Sequence, residues 1–473
     1  MKNVDVAVIG SGLSGSLVAH VLADQGCSVG LIDPTPHPRI TLGESSTPIA
    51  DWWMRILSQR FELPWLDDWS RWSTLRRRHP HLVAGLKRGF SYYQHRSGGA
   101  DRAPGGVNLS ETSLIAASRC DAVSDSHLWR ADFDADLFQR AMARGVRHRA
   151  GERVIAIDDG GVTVEGAGER RRLQPRWIID ASGTAAVTAK LMGAPDRIAE
   201  VRTRTRCRYS HRRGVQPIAP EYATAADPFN GDDAAAHHLC DDRGWVWMLR
   251  FDDGTTSVGV VERRIGDRFA SIDWQNYPTL ASSLGHSVPI AGGDWRWAGG
   301  GDRAMQRRTD PTTGTRVLRM PAAAATLDPL HSTGLAMAMA AVARVVDVVI
   351  GGDSNDHYAR RLDRELDWID RMVASAYRSM GDFRRFELAT WVYLTTAIAT
   401  EERLAAGHHD EAMFGLDDPG FRGAIGNAMD AINDSTAEVG EIRRRVLEAI
   451  EPWNVAGLGT RDDGRYAYTA TKI

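Results

Sequence analysis

Cysteine is scarce in this chain of 473 residues: only Cys27, Cys120, Cys207 and Cys240 occur, far apart and in no CxxC pair. That spacing excludes a disulfide-stapled scaffold and a cysteine-based redox or metal motif, and no metal site is expected. An excess of one charge is also missing. The 58 Lys and Arg nearly balance the 61 Asp and Glu, for a net charge of −3, so no global field favours nucleic acid or an anionic membrane. Short basic clusters, such as Arg76, Arg77 and Arg78, read as solvated loops. The longest apolar run, Leu335 to Ile350, contains Arg344 and Asp347 and falls short of the ~20 residues a membrane span needs. No charged-then-apolar leader follows Met1, which argues for a cytoplasmic location. No internal repeat or long low-complexity segment is present.

What is present in excess is tryptophan. Fifteen occur, several of them clustered, as in Trp52, Trp53, Trp65, Trp69 and Trp72 or Trp245 and Trp247. They point to an aromatic-lined cavity. The chain is long enough for two or three subdomains.

The N-terminus carries the first recognisable motif. The apolar run Val4 to Ile9 leads into Gly10-x-Gly12-x-x-Gly15, a helical stretch from Ser16 to Gln25, and a second strand, Ser28 to Ile32, that ends at Asp33. This β-α-β unit needs its glycines for a tight turn, for backbone approach to a pyrophosphate and for helix-on-strand packing, while Asp33 suits a ribose hydroxyl pair. The motif assigns Gly10, Gly12, Leu13, Ser14, Gly15 and Asp33 to a dinucleotide. NAD and FAD share it. Further along, Trp177 to Gly183 reads as a late strand of the same domain, ending at Asp180 beside the cofactor, and Asp328 recurs where another short strand would return.

The segment Asp328-Pro-Leu-His331-Ser332-Thr333-Gly334 opens a small-residue helix. A helix N-terminus has unpaired N–H groups and a partial positive charge, so Ser332, Thr333, Gly334 and Leu335 can hold an anion or the polar edge of a ring. Between these parts, Gly244 to Phe251 and Thr255 to Glu262 flank Asp252-Asp253-Gly254, a β-hairpin pattern in an antiparallel sheet. From Asp353 onward apolar periodicity predicts helices, over Leu362 to Met380 and Phe386 to Leu404. The expected fold is α/β: a discontinuous Rossmann-like FAD-binding domain over 1–200 and 300–352 that also contains part of the substrate region, an antiparallel-sheet substrate domain over 201–299, and a helical C-terminal cap over 353–473.

Four segments together resemble the flavin-dependent tryptophan halogenases, a branch of the FAD monooxygenases, across roughly residues 1–350. They are the N-terminal glycine motif, Gly43-Glu44-Ser45-Ser46-Thr47-Pro48, Gly244-Trp245-Val246-Trp247, and Asp328 to Gly334. The resemblance implies FAD, used in its reduced form with O₂, and adds Glu44 and Ser45 to its binding residues along with Asp180, Asp328, Thr333, Gly334 and Leu335. It places Trp245 and Trp247 between flavin and substrate. It sets Lys87, in Gly85-Leu86-Lys87-Arg88-Gly89-Phe90, where that family's lysine handles hypohalous acid. Because no second GxGxxG follows a strand, NAD(P)H is expected to act only through a separate flavin reductase.

Two departures bear on the reaction. Leu249-Arg250 follow Met248 where the family continues with Ile-Pro, and His331 replaces a glutamate before Ser-Thr-Gly. These favour a hydroxylase that attacks an electron-rich ring, a tryptophan or indole, free or peptide-borne, through a flavin C4a-hydroperoxide. In that reading Lys87, His331 and Ser332 are catalytic, with Trp245 and Trp247 as the wall. The alternatives are a true halogenase of an indole, phenol or pyrrole, and a non-catalytic flavin-binding accessory protein.

Overall fold

A computed structural model describes residues 4–98, 111–118, 120–218, 234–290, 294–298, 301–462, 464–468 and 470. The expected domain boundary at 299/300 lies outside the described residues.

Val6–Ile9, Val29–Ile32 and Trp177–Asp180 are short apolar strands, buried on both faces apart from the half-buried Trp177, the composition a covered parallel sheet requires. They form the middle of a six-stranded sheet in the order 312–313, 317–319, 177–180, 6–9, 29–32, 147–148. All joins are parallel except the 312–313 edge. The helices Leu13–Asp24 and Gly334–Val346 supply the core on one side, with Val6, Val8, Leu17, Leu31 and Met339 in contact through one apolar cluster. On the other side Ala7, Ile9, Ile32 and Ile178 meet Val162, Val164 and Leu173 of a three-stranded meander, 153–158, 161–166 and 169–173. The Gly334–Gly351 stretch is long and apolar enough to cross a membrane by composition, and most of it is buried inside the protein.

The second sheet is larger. Its main path runs 288–289, 205–213, 255–265, 244–250, 235–240, 89–95, 112–116 and 465–467. The hairpin at Asp252-Asp253-Gly254 forms, with Trp247 opposite Gly259 and Gly254 at φ +82°. Two joins are parallel: 235–240 with 89–95, and 465–467 with 112–116. The sheet therefore crosses the boundaries expected at 201–299, because three of its strands come from before and after that range. The C-terminal stretch corrects in the same way. Four helices, Asn355–Ser379, Phe383–Ala405, Pro419–Asn433 and Val439–Ile450, are followed by a strand, Arg465–Ala467, that returns to the sheet. The first three are capped by Ser354, Asp382 and Asp418, each accepting from backbone N–H groups of its first turn, as side-chain N-caps do.

Candidate functional site

The glycine motif is built for close approach. Gly10 sits at φ +101°, and a Cβ on Gly15 would lie 1.9 Å from the Gly10 carbonyl oxygen, so neither position admits another residue without backbone movement. Gly12 caps the Leu13–Asp24 helix with no side-chain acceptor, at an end where the first N–H groups have no intrahelical partner. Leu13 turns its side chain into the core and can offer only its backbone, while Ser14 is half-buried. Asp33 stands at the end of the second strand and accepts from Ser11 N at 2.7 Å and from Arg39 Nη2 at 2.7 Å. Burial opposes its charge, but Arg39 and the N–H groups of Ser11 and Thr35 hold its carboxyl below the usual range. Asp180 is buried and accepts from the N–H and hydroxyl of both Ser182 and Thr188. It organises the end of its own strand.

A cavity of about 310 Å³ opens between the two sheets. Gly43, Glu44, Ser45, Thr184, Pro321, Thr326, Asp328 and residues 332–335 line one side; Cys207, His237, Trp245, Trp247, Leu249, Met305, Leu366 and Ile369 line the other. Polar groups without partners face this region. Ser45 Oγ and Thr326 Oγ1 are buried with no hydrogen-bond partner among the described residues. Thr333 does not cap the Gly334–Val346 helix with its side chain, and a Cβ on Gly334 would meet nothing within 4 Å. Ser332 adopts the left-handed conformation that turns the chain into this helix (φ 52°). Orphan hydroxyls, open helix N–H groups and an apolar opposite wall fit a flavin ring, with the glycine turn for its pyrophosphate.

The wall opposite is tied to the loop by hydrogen bonds. Trp245 Nε1 donates to the Tyr377 hydroxyl at 2.8 Å, and Tyr377 donates to Asp328 Oδ2 at 2.9 Å. Thr205 donates to the same oxygen at 2.7 Å, and Leu330 N donates to Oδ1 at 3.1 Å. Burial pushes Asp328 up to about 6 in spite of these donors. Trp247 lies over Gly259, where a Cβ would come within 2.1 Å of the indole. Glu44 is held by His211, Nε2 to Oε1 at 2.7 Å, with the His211 ring edge-on to Trp129 at 4.7 Å.

Lys87 and His331 do not line this cavity. Lys87 is fully buried, donates to the Ser46 carbonyl and lies 4.2 Å from the centre of the Phe90 ring. His331 is buried and stacked on Tyr393 at 4.0 Å and 5°; neither of its ring nitrogens has a hydrogen-bond partner among the described residues. Tyr393 donates to the His331 carbonyl at 2.7 Å. Phe90 and Tyr393 in turn line a second, small cavity of about 20 Å³ with Thr47, Pro48, Glu401 and Tyr468. The residues singled out in the sequence thus fall in different places: Glu44 and Asp328 also line the large cavity, and Gly10, Gly12, Leu13, Ser14, Gly15, Asp33 and Asp180 lie outside its lining. Ser45, Ser332, Thr333, Gly334, Leu335, Trp245 and Trp247 face the large cavity, and Lys87 and His331 lie behind it.

Sequence reasoning missed His237, His211, Tyr377 and Tyr393. The strand alternation of Ala235–Cys240 could have flagged one of His237 and His238 as facing the tryptophans, but not which one, because that depends on register.

Burial holds several histidines neutral: His331 and His127 near 3, His237 and His95 near 4. Folded values below the unfolded value of 6.5 mean that their stabilising contribution is complete above pH 6.5 and is lost as pH falls toward 3–4. Asp328, raised to about 6, and Glu387, raised to about 7, act in the opposite sense as pH falls, but they are fewer. Denaturant unfolding at stepped pH is expected to show stability falling between pH 6 and 4. Constant stability across that range would contradict the buried neutral imidazoles.

A family model described as FAD dependent oxidoreductase matches residues 5–346. The chain belongs to the FAD-dependent oxidoreductases. Within them it is halogenase-like. It is 27% identical over 432 residues to the monodechloroaminopyrrolnitrin halogenase PrnC of Pseudomonas fluorescens, covering 86% of this chain and 73% of the relative. It is 26% identical to the tetracycline 7-halogenase of Kitasatospora aureofaciens, covering 85% and 74%. The crystal structure of halogenase PltM shares the fold with a TM-score of 0.84 at 21% identity, covering 98% of this chain and all of that one. FAD is the cofactor of this enzyme family, and the large cavity is where the residues of this chain suit it.

Proposed function

We propose that this FAD-dependent oxidoreductase halogenates an electron-rich aromatic ring. The observation that carries this reading is Lys87: an ammonium buried completely, fixed to the Ser46 carbonyl and set behind the wall of the flavin cavity. A surface lysine would snorkel to water; a fully buried one needs a reason, and delivering an electrophile is one. The preference for hydroxylation drawn from His331 is revised here, since the curated relatives named above are halogenases.

Reduced FAD, bound by Gly10 to Gly15, Glu44, Ser45 and Thr333 to Leu335, would supply oxidising power from O₂. The open N–H groups of Thr333 and Gly334 suit a halide. Trp245 and Trp247 exclude water and separate this chamber from the acceptor. Lys87 Nζ donates a hydrogen bond to the oxygen of hypohalous acid and so orients its halogen toward the ring. The halogen bonds to a ring carbon, the O–X bond breaks, and the departing hydroxide leaves with the ring proton as water. The acceptor is an indole, phenol or pyrrole, small or carried on a peptide or carrier protein; one relative is named a 1H-pyrrole-2-carbonyl-[peptidyl-carrier protein] brominase. A separate flavin reductase is the proposed source of reduced flavin.

Hydroxylation stays as a second reading because His331 stands where the halogenase pattern has glutamate. Product masses decide between the two. With reductase, NADH, FAD and O₂, indole, phenol and pyrrole acceptors are expected to gain chlorine or bromine in halide buffers. A gain of oxygen alone, unchanged by halide, sinks the halogenase reading.

A further inference from the structure

Tyr377, near the end of the Asn355–Ser379 helix, joins the two walls of the large cavity. Trp245, on the strand Gly244–Arg250, belongs to one wall, and Asp328, ahead of the loop that leads into the Gly334–Val346 helix, belongs to the other. All three side chains are buried. Trp245 Nε1 donates to the Tyr377 hydroxyl at 2.8 Å, and that hydroxyl donates to Asp328 Oδ2 at 2.9 Å. The order is forced, because an indole N–H only donates and a carboxylate only accepts, so the group between them must do both. Burial and the charge of Asp328 push the Tyr377 pKa well above its ordinary value, which keeps the donated proton in place. Arg263 Nη1 donates to the Tyr377 carbonyl at 3.0 Å, so the helix end itself is fixed to the sheet. The two walls depend on this hydroxyl unequally. Asp328 also accepts from Thr205 and from Leu330 N, whereas the indole has a single N–H and Tyr377 takes it.

We propose that Tyr377 is a positioning residue that latches the Trp245 wall to the Asp328 loop, and so sets how much of each flavin oxidation reaches the aromatic acceptor. The inference rests on the proposed flavin-driven modification of a ring, and it holds whether halogen or oxygen is transferred. With the latch made, the indole N–H is satisfied only while Trp245 keeps its place on the wall. Without the hydroxyl, the same place leaves a buried donor unpaired, which lowers the population of the closed wall on the order of tenfold. An open wall admits water. The O₂ that takes two electrons from reduced flavin and two protons from solvent then leaves as hydrogen peroxide, and the acceptor is not modified. Tyr377 touches neither acceptor nor reacting atoms in this scheme; it acts through Trp245.

The test uses the full-length enzyme with FAD, a flavin reductase and NADH in bromide, and counts modified acceptor and hydrogen peroxide per reduced flavin oxidised. Tyr377→Phe keeps the ring and removes the hydroxyl. Its product per flavin is expected to fall roughly tenfold, the scale of one lost buried hydrogen bond, and its peroxide to rise to match, while the melting curve shows an intact fold. Trp245→Phe removes the N–H from the other end. If Tyr377 acts through that N–H, the double variant leaks no more than Trp245→Phe alone, whereas independent effects add. A second measurement needs no turnover: hydrogen exchange of the full-length protein before FAD is added. Tyr377→Phe is expected to exchange faster over 244–250 and 328–335, as local opening does, and to leave the Leu13–Asp24 helix unchanged. A wild-type product ratio in Tyr377→Phe, additive losses in the double variant, or unchanged exchange in both segments overturns the latch while the proposed function stands. If the wild type modifies no acceptor and returns only peroxide, the proposed function fails and the coupling role falls with it.

Discussion

Replacing Lys87 by Met is expected to lower the rate of ring halogenation by at least 10²–10³, on the order of the loss of a preorganised donor at a reacting centre, while reduced-flavin oxidation continues and releases hydrogen peroxide. Methionine fills most of the lysine's space beside Phe90 and removes the ammonium that donates to the Ser46 carbonyl. The position opposite Lys87 across the 84–87 and 125–128 strand pair is Asp125, so the variant also changes the charge balance of a buried pair of strands. A melting curve and the flavin absorbance of the purified variant separate folding from chemistry. If Lys87→Met halogenates at a rate near wild type, Lys87 is structural and the proposed delivery step is wrong.

The largest expected effect on stability lies away from the chemistry. Arg344, on the helix that begins at Gly334, makes a two-pronged pair with Glu365, each N···O distance being 2.8 Å. Glu365 is wholly buried and also accepts from Met413 N at 2.8 Å. Glu365→Ala would leave the guanidinium buried without its counter-charge. Breaking a buried pair in this way costs about 3–5 kcal/mol, measured as a lower denaturant midpoint. Exchanging both partners for apolar residues, Arg344→Met with Glu365→Leu, is expected to recover most of that loss, since two desolvated charges are then absent together. Should the single variant unfold like wild type, the helix cap is held by its apolar contacts alone. The pair joins the Gly334–Val346 helix to the Asn355–Ser379 helix, so its loss is also expected to loosen flavin retention.

Local chemistry made much of the cofactor half legible. Gly10 and Gly15 are dictated by backbone geometry that no other residue satisfies, and the strand, turn, helix, strand pattern around them is contiguous. The same holds for Asp328 to Gly334, where a proline turn and small residues announce a helix start. Residues that act through tertiary contact were read less well. Asp180, expected beside the cofactor, spends both oxygens on Ser182 and Thr188, which periodicity could not show. Glu44 faces the cavity, but its partner His211 lies on a strand of the other sheet. His331 was read as a group at the mouth of the site, and it is packed under Tyr393 from a helix of the C-terminal region.

The sequence by itself determined the class of cofactor, the family resemblance and the residues with the right chemistry, because those depend on short motifs whose backbone needs are local. Only the tertiary structure decided which of those residues share a chamber. Strand Ala235–Cys240 pairs in parallel with Gly89–His95, a long-range choice set by which apolar faces bury together and by register. That pairing puts His237, and not His238, against Trp245 and next to Lys87. A shift of one residue would reverse it.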